Sequence, residues 1–416
     1  MSTPKQAIVL IHGIGEQVPM DTLRGFVKAV WTTDESVRNP YVPDQVWSKP
    51  DNVSQNYELR RLTTAEGKSG KRTDFFEFYW ADLMEGTEVE HVKAWLKLLL
   101  FRSPRRVPKQ LRGIWWTVAL FVLVGVGLSI ATFFDLLPVK VASLVGAIST
   151  VLTALLLWPI KKVAGDAARY LHVAPPNIGR RRIIREAGIQ LLQRLHDSGD
   201  YDRIILVGHS LGTVIGYDIL TQLWPRYNTK HTGNSSPDPD PLEKLAAKPD
   251  LNPEEYQAAQ ATYAASLKAA GSPWLITDFV TMGSPLAHAP FLLTRKSEEF
   301  QTKKTERELP TCPPTLETVK KNPRFCYPLN KAWVPNHSAV FAATRWTNLY
   351  FPCAWTLKGD VVGGPLQPVF GPGIRDVPVS TTIHGGLLNH THYWEFPESV
   401  SGVPAHIAAL RAAIKL

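Results

Sequence analysis

Ser210 stands in the run GHSLGT, residues 208–213, with a glycine two positions away on either side. The strand-like RIILV (203–207) precedes it and the helix-like VIGYDIL (214–220) follows. G-x-S-x-G at such a junction forces a tight strand-to-helix turn in which flanking side chains would collide with neighbouring backbone, and the turn holds the hydroxyl clear of the sheet. The helix that follows turns its first N–H groups and its positive dipole end toward the serine, where they stabilise negative charge developing on a substrate oxygen. The chemistry implied is nucleophilic attack on an acyl carbon. The five-residue pattern alone also describes an ordinary strand-to-helix turn, so the other groups that such chemistry needs decide its meaning.

A serine hydroxyl is a poor nucleophile at neutral pH and needs a base, and the base needs an acid that fixes its tautomer and stabilises its charged form. Downstream, WTNLYFPCAWTLKGDVVGG (346–364) offers Asp360 in a loop soon after a strand. HGGLLNHTHYWEF (384–396) offers His384, His390 and His392. Asp278 is a weaker rival because it precedes the middle of its strand, and Asp376 is too near the histidines. His390 and His392 would face opposite ways in an extended loop. As metal ligands the pair lacks a carboxylate or cysteine at useful spacing, so neither a metal nor a cofactor is expected.

The elements that must position these groups alternate between strand and helix. AIVLIHG (7–13) reads as a buried strand ending on a glycine turn, followed by a helix through 21–31. Strands are expected at 57–63, 74–80, 203–207, 274–283 and 345–351, and amphipathic helices at 88–101 and 178–199, with a final helix HIAALRAAI. From Pro225 to Ser272 the composition turns to Asn, Asp, Pro, Lys and Ala, which reads as a polar surface insertion, part loop and part alanine-rich helix. The class is α/β with a mostly parallel central sheet.

With these residues in this order, the chain resembles the α/β-hydrolase superfamily, in particular its lipase-like serine hydrolases. The likeness covers residues 7–15, 203–216, 279–287 and 346–394. It implies an oxyanion hole built from the loop His12 to Gly15, with Gly13 or Ile14 donating together with Leu211, and the chain order serine, acid, histidine. The phrase W-x-N-x-Y followed by D-x-V resembles the segment that carries the family's acid and implies Asp360. HTHYW resembles the family's H-x-x-Y-W and implies His390 as the base, with His392 as the alternative. FVTMGSPLA (279–287) resembles a segment of the intracellular DDHD-type phospholipases and implies a structural Ser284, although the signature that names that group is not evident here. The resemblance implies hydrolysis of a carboxylic ester through an acyl-enzyme, with a thioesterase, an acyltransferase or an inactive hydrolase-fold scaffold as rivals.

Two apolar runs interrupt this pattern. Gly113 to Phe134 gives 22 residues without a charge and Val141 to Ile160 another 20. Each is long enough for a bilayer. With Asp135 to Lys140 between them, they predict a transmembrane helical hairpin, dividing the chain into 1–101, the hairpin region 102–162, and 163–416, the first and last forming one hydrolase domain. Seven bases lie in 91–112 and seven, against Asp166, in 161–185, which by the positive-inside rule sets the outer ends and the catalytic domain in the cytosol. The expectation is therefore an integral membrane protein acting on an acyl-ester lipid of the bilayer that holds it. The flanks account for the net charge of +9, so anionic headgroups rather than nucleic acid are the implied partner. Cys312, Cys326 and Cys353 suggest no disulfide framework, and QAIVLIHGIG near Met1 has no signal-peptide features.

Overall fold

The strand runs are apolar at consecutive positions, as burial on both faces of a sheet requires. A computed structural model describes residues 5–14, 18–39, 41, 45–84, 104–134, 170–171, 175–230, 237–294, 296–329, 332–353, 358–383, 389–397 and 402–416. Eight strands form one mixed sheet: β1 (Lys5–Ile11), β2 (Val46–Pro50), β3 (Arg60–Thr64), β4 (Arg72–Phe78), β5 (Arg203–His209), β6 (Ile276–Met282), β7 (Arg345–Tyr350) and β8 (Arg375–Pro378). Their spatial order is β8-β7-β6-β5-β1-β4-β3-β2. The six strands from β8 to β4 are parallel, and β3 and β2 continue the sheet antiparallel.

The period of two along each strand divides the core into two layers. Ala7, Val9, Ile11, Ile204 and Leu206 face helices α3 (Pro175–Asp197), α4 (Leu211–Leu223) and α6 (Pro253–Ala269). Ile8, Leu10, Ile205, Val207, Val280 and Leu349 face α1 (Asp21–Val27) and α7 (Ala405–Ile414). Each of these valine, leucine and isoleucine side chains, fully buried, contributes about 1.5–3 kcal/mol relative to exposure. The polar stretch 225–272 holds α5 (Asp240–Ala246) as well as α6, and α6 is part of the core rather than an appendage. Tyr256 and Tyr263 on it are buried, and Gln257 donates to the Trp346 carbonyl at 3.0 Å. β2 and β8 lack a readable apolar pattern in the sequence: β2 is largely exposed, and β8 is a short edge strand.

The membrane hairpin is corrected. Counted over the described residues, no helix is long and apolar enough to cross a membrane. The first apolar run forms helix α2 (Arg112–Phe133). The second run, 141–160, and the amphipathic helix expected at 88–101 lie outside the described residues. The integral-membrane localisation and its cytosolic orientation are withdrawn with the hairpin, because both presupposed helices that cross the membrane.

Glu77, on β4, is buried, and its Oε2 accepts the Met20 N–H at 2.8 Å where α1 begins. Burial pushes its carboxyl from 4.5 up to about 7, with the Met20 N–H partly opposing and Asp21 adding to the rise. A folded-state value above the unfolded one means that the folded chain holds the extra proton. The stability this gives is complete below about 4.5 and is lost as pH rises through about 7. Glu77→Gln keeps an acceptor for Met20 and removes the charge. Its melting temperature should exceed that of the parent by about 1–3 °C at pH 8 and match it at pH 4. Calorimetry showing equal differences at both pH values would rule this account out.

Candidate active site

The two glycines of the serine turn are required by close approach. A Cβ at Gly208 would stand 2.8 Å from the Thr213 Cα, and one at Gly212 would stand 2.3 Å from the Ile11 carbonyl oxygen. Ser210 between them adopts φ 53°, ψ −128°, a left-handed conformation that costs a non-glycine residue of order 1–3 kcal/mol. Its N–H donates to the Met282 carbonyl at 2.9 Å, so the strained residue is tied to the end of the neighbouring strand.

Three loops at the carboxyl edge of the sheet converge on this serine. His390, in a single 3-10 turn (Asn389–Thr391), accepts the Ser210 hydroxyl at Nε2, 2.8 Å away. Its Nδ1–H points at both oxygens of Asp360, each at 3.0 Å. Asp360 follows β7 and is buried; its Oδ1 also accepts the Val362 N–H at 2.8 Å and its Oδ2 the Tyr393 hydroxyl at 2.8 Å. Burial alone would raise the Asp360 carboxyl. The His390 charge and hydrogen bond, the Gly363 N–H and the Tyr393 hydroxyl outweigh burial and hold it at about 2. Two acceptor contacts to the carboxylate leave Nε2 as the lone-pair nitrogen, the tautomer a general base needs.

The loop after β1 closes the opposite side. A Cβ at Gly13 would lie 2.9 Å from the Ser210 Cβ, so this backbone rests directly on the serine. His12 orders it: Nδ1 donates to the Gly13 carbonyl at 2.7 Å, while Nε2 accepts the Trp80 N–H at 3.3 Å. The Trp80 indole N–H donates to the His12 carbonyl at 3.0 Å, and the two rings stack at 5.1 Å. Burial pushes the imidazole of His12 down to about 4, with the Gly13 carbonyl partly opposing, so the ring is neutral at pH 7. Because the peptide is planar and trans, fixing the Gly13 carbonyl on the His12 side turns the Ile14 N–H the other way. Leu211 opens α4, where the first N–H groups have no partner within the helix.

Ser210, Asp360 and His390 are thus brought together, with Gly13, Ile14 and Leu211 around them. His392 is not part of the cluster; its Nδ1 faces Glu395 Oε2 at 2.5 Å. Asp278 pairs with Arg203 and Arg345 at 2.7 Å each, near the strand starts, and Asp376 accepts from Asn348, Leu366 and Gln367. The Ser284 hydroxyl is buried against Thr213 Oγ1 at 2.7 Å. His384 and Gly15 lie outside the described residues. Among the described residues no group of histidine, cysteine and carboxylate side chains could hold a metal ion. A cavity of about 320 Å³ lined by Arg203, Lys268, Trp274 and Arg345 opens at the opposite edge of the sheet and is no part of this site.

Three positioning side chains carried no assignment in the sequence. Tyr393 holds the acid, His288 Nε2 meets the Val361 carbonyl at 3.1 Å beside it, and His209 Nε2 meets the His390 carbonyl at 2.7 Å. Tyr393 and His209 sit inside the quoted motifs, so their proximity to the cluster was a readable signal; His288 left none. No family model matches the chain, and neither a curated protein nor a solved structure matches it.

Tyr393→Phe removes the hydroxyl that donates to Asp360 and accepts the Phe351 N–H at 3.2 Å. Both partners then lie buried with one bond fewer, and stability should fall by about 1–3 kcal/mol. Urea unfolding with an unchanged midpoint would show that the hydroxyl holds nothing.

Proposed function

We propose that this chain is a serine hydrolase of the α/β-hydrolase superfamily that cleaves carboxylic esters. The observation that carries the reading is the continuous line Ser210 Oγ to His390 Nε2 at 2.8 Å and His390 Nδ1 to Asp360 at 3.0 Å, with the serine on a strained strand-to-helix turn. As Oγ attacks the acyl carbon, its proton passes to His390 Nε2. Asp360, held at about 2, stays ionised beside the imidazolium and does not take that proton. The negative oxygen of the tetrahedral intermediate faces the N–H of Leu211 and that of Ile14 or Gly13, which are already oriented before reaction. Nε2–H then protonates the leaving alcohol, and a water activated by the same histidine releases the acid and restores the serine.

Among the described residues, no membrane-crossing helix holds the site against a bilayer lipid. The site accounts for attack on an acyl group, and the nature of the leaving group is an experimental question. A panel of soluble alkyl esters and thioesters compared by kcat/KM assigns it.

Incubation with a fluorophosphonate should give one adduct, mapped to Ser210, and Ser210→Ala should give none. His390→Ala and Asp360→Asn should each lower kcat on p-nitrophenyl butyrate by roughly 10⁴, the factor seen for the acid of serine proteases, with KM little changed. The double variant should fall no further than the worse single one. His392→Ala should keep its rate within about threefold, because that ring bonds Glu395 instead. An unlabelled Ser210 in the folded chain would sink the hydrolase reading and leave a non-catalytic scaffold in its place.

A further inference from the structure

We infer that His209 is a positioning residue for this reaction, an imidazole whose Nε2–H grips the His390 carbonyl and sets the base against Ser210. The inference rests on the hydrolase reading of Ser210, His390 and Asp360. His209 is the last residue of β5 and directly precedes the nucleophile, so its backbone is fixed by the sheet through its register with Met282. Its side chain is buried, and Nε2 lies 2.7 Å from the His390 carbonyl oxygen. A carbonyl oxygen only accepts, so Nε2 carries the hydrogen and Nδ1 the lone pair. Nδ1 is turned toward the loop after β1, since a Cβ added at Gly13 would meet it at 3.0 Å.

One ring therefore touches both the loop after β1 and the segment that carries the base. It lies 5.1 Å from the His390 ring, 5.8 Å from Tyr393 and 5.0 Å from Trp394, the last edge-on at 85°. The base needs such a hold. His390 sits in one short 3-10 turn, and its side chain is 25 % exposed. Asp360 orients its ring and the Asn389 N–H donates to the Gly359 carbonyl at 3.2 Å, but neither bond holds the His390 carbonyl itself. His209 fixes the carbonyl of the same residue from the nucleophile's own strand, so serine and base share one rigid reference.

Neutrality follows from the surroundings. Burial first, and then the neighbouring His390, push the His209 ring down to about 3; the His390 carbonyl and Asp360 oppose this, and His12 adds to it. When His390 gains the serine proton, the adjacent ring thus stays uncharged and does not repel the new imidazolium. Tyr393, which also packs on it, is bonded to Asp360 and carries no charge.

The test uses the full chain, with selective ¹⁵N-histidine labelling and two variants. His209→Gln retains an N–H that can reach the carbonyl; His209→Phe retains a ring but has no donor. The Phe variant should lose about 10- to 100-fold in kcat on p-nitrophenyl butyrate and in fluorophosphonate labelling rate, with KM within about twofold, and the Gln variant should recover most of that loss. In the parent, the ¹⁵N resonances assigned to His209 by their absence from the variants should show a hydrogen on Nε2 and no titration between about pH 5 and 8. Labelling of folded His209→Phe at the parent rate overturns the inference alone. So does a hydrogen on Nδ1 or titration in that range, which is read on the parent even if the Phe variant does not fold. A parent chain that takes no probe at Ser210 overturns the hydrolase reading and this inference together.

Discussion

The backbone of α4 meets the end of β1 at Gly212, where no side chain could be accommodated: a Cβ there would stand 2.3 Å from the Ile11 carbonyl oxygen and 2.6 Å from that of His12. This contact fixes where the helix starts relative to the sheet. Ser210 must then complete the chain between a strand end and a helix start that are already set, and it does so at positive φ. The same contact lays the Gly13 backbone on the serine, since Ile11 and His12 lead into it. A larger residue at 212 would push α4 from β1 and separate the hydroxyl from the N–H groups on both sides at once. The strain at Ser210 is therefore a consequence of packing elsewhere, sustained by two core layers that would have to shift to relieve it.

Around that point the charged chemistry is confined to one carboxylate and one imidazole, and the remaining polar groups are kept neutral. His12 and His209 are buried and pushed down to about 4 and 3, and burial likewise lowers His288. Each is satisfied through a backbone carbonyl rather than through a charge. A neutral imidazole in this role gives direction without adding potential, which matters because the proposed mechanism makes His390 cationic within 5.1 Å of another ring. Asp360 is the exception to the rule that burial neutralises an acid, because four contacts favour its ionised form. These histidines also make the fold acid-sensitive. Their folded values lie below the unfolded value of 6.5, so the stability they give is present above that value and declines as pH falls toward 4.

What could be read from the sequence was whatever depends on local backbone rules. The elbow glycines and the strand patterns of β1, β5 and β6 follow from turn sterics and burial on both faces, whereas the order of serine, acid and histidine came from the likeness to the lipase-like hydrolases. His390 and His392 separated because side chains two residues apart diverge, and one of them reached Asp360 while the other reached Glu395. Groups that act through long-range contact were not readable. His288 props the acid loop across 73 residues, and nothing in its neighbourhood announces that. The polar composition of 225–272 suggested a surface excursion, yet Tyr256, Gln260 and Tyr263 face inward at helical spacing against residues more than fifty positions away. The apolar runs failed for the opposite reason: composition reports that residues avoid water and does not report what they meet instead.

The sheet also explains how a site drawn from such distant parts of the chain can tolerate long intervening segments. β1, β5, β6 and β7 are parallel, so Ile11, His209, Met282 and Tyr350 end at one edge, and residues 180 positions apart, Ser210 and His390, meet there. β4 is parallel to β1 as well, so the chain after Phe78 leaves from that edge, and Trp80 is already engaged with His12. Gln110, just before α2, lies against the acid loop, 3.5 Å from where a Cβ on Gly364 would be. The described stretch that leads into α2 is therefore tied to the carboxyl edge of the sheet at Gln110. The apolar side chains that α2 exposes, among them Leu120, Leu123 and Phe133, extend from a root beside Gly364. A change that displaces the start of α2 would consequently reach the acid loop through Gln110 and Gly364 before it reached either core layer.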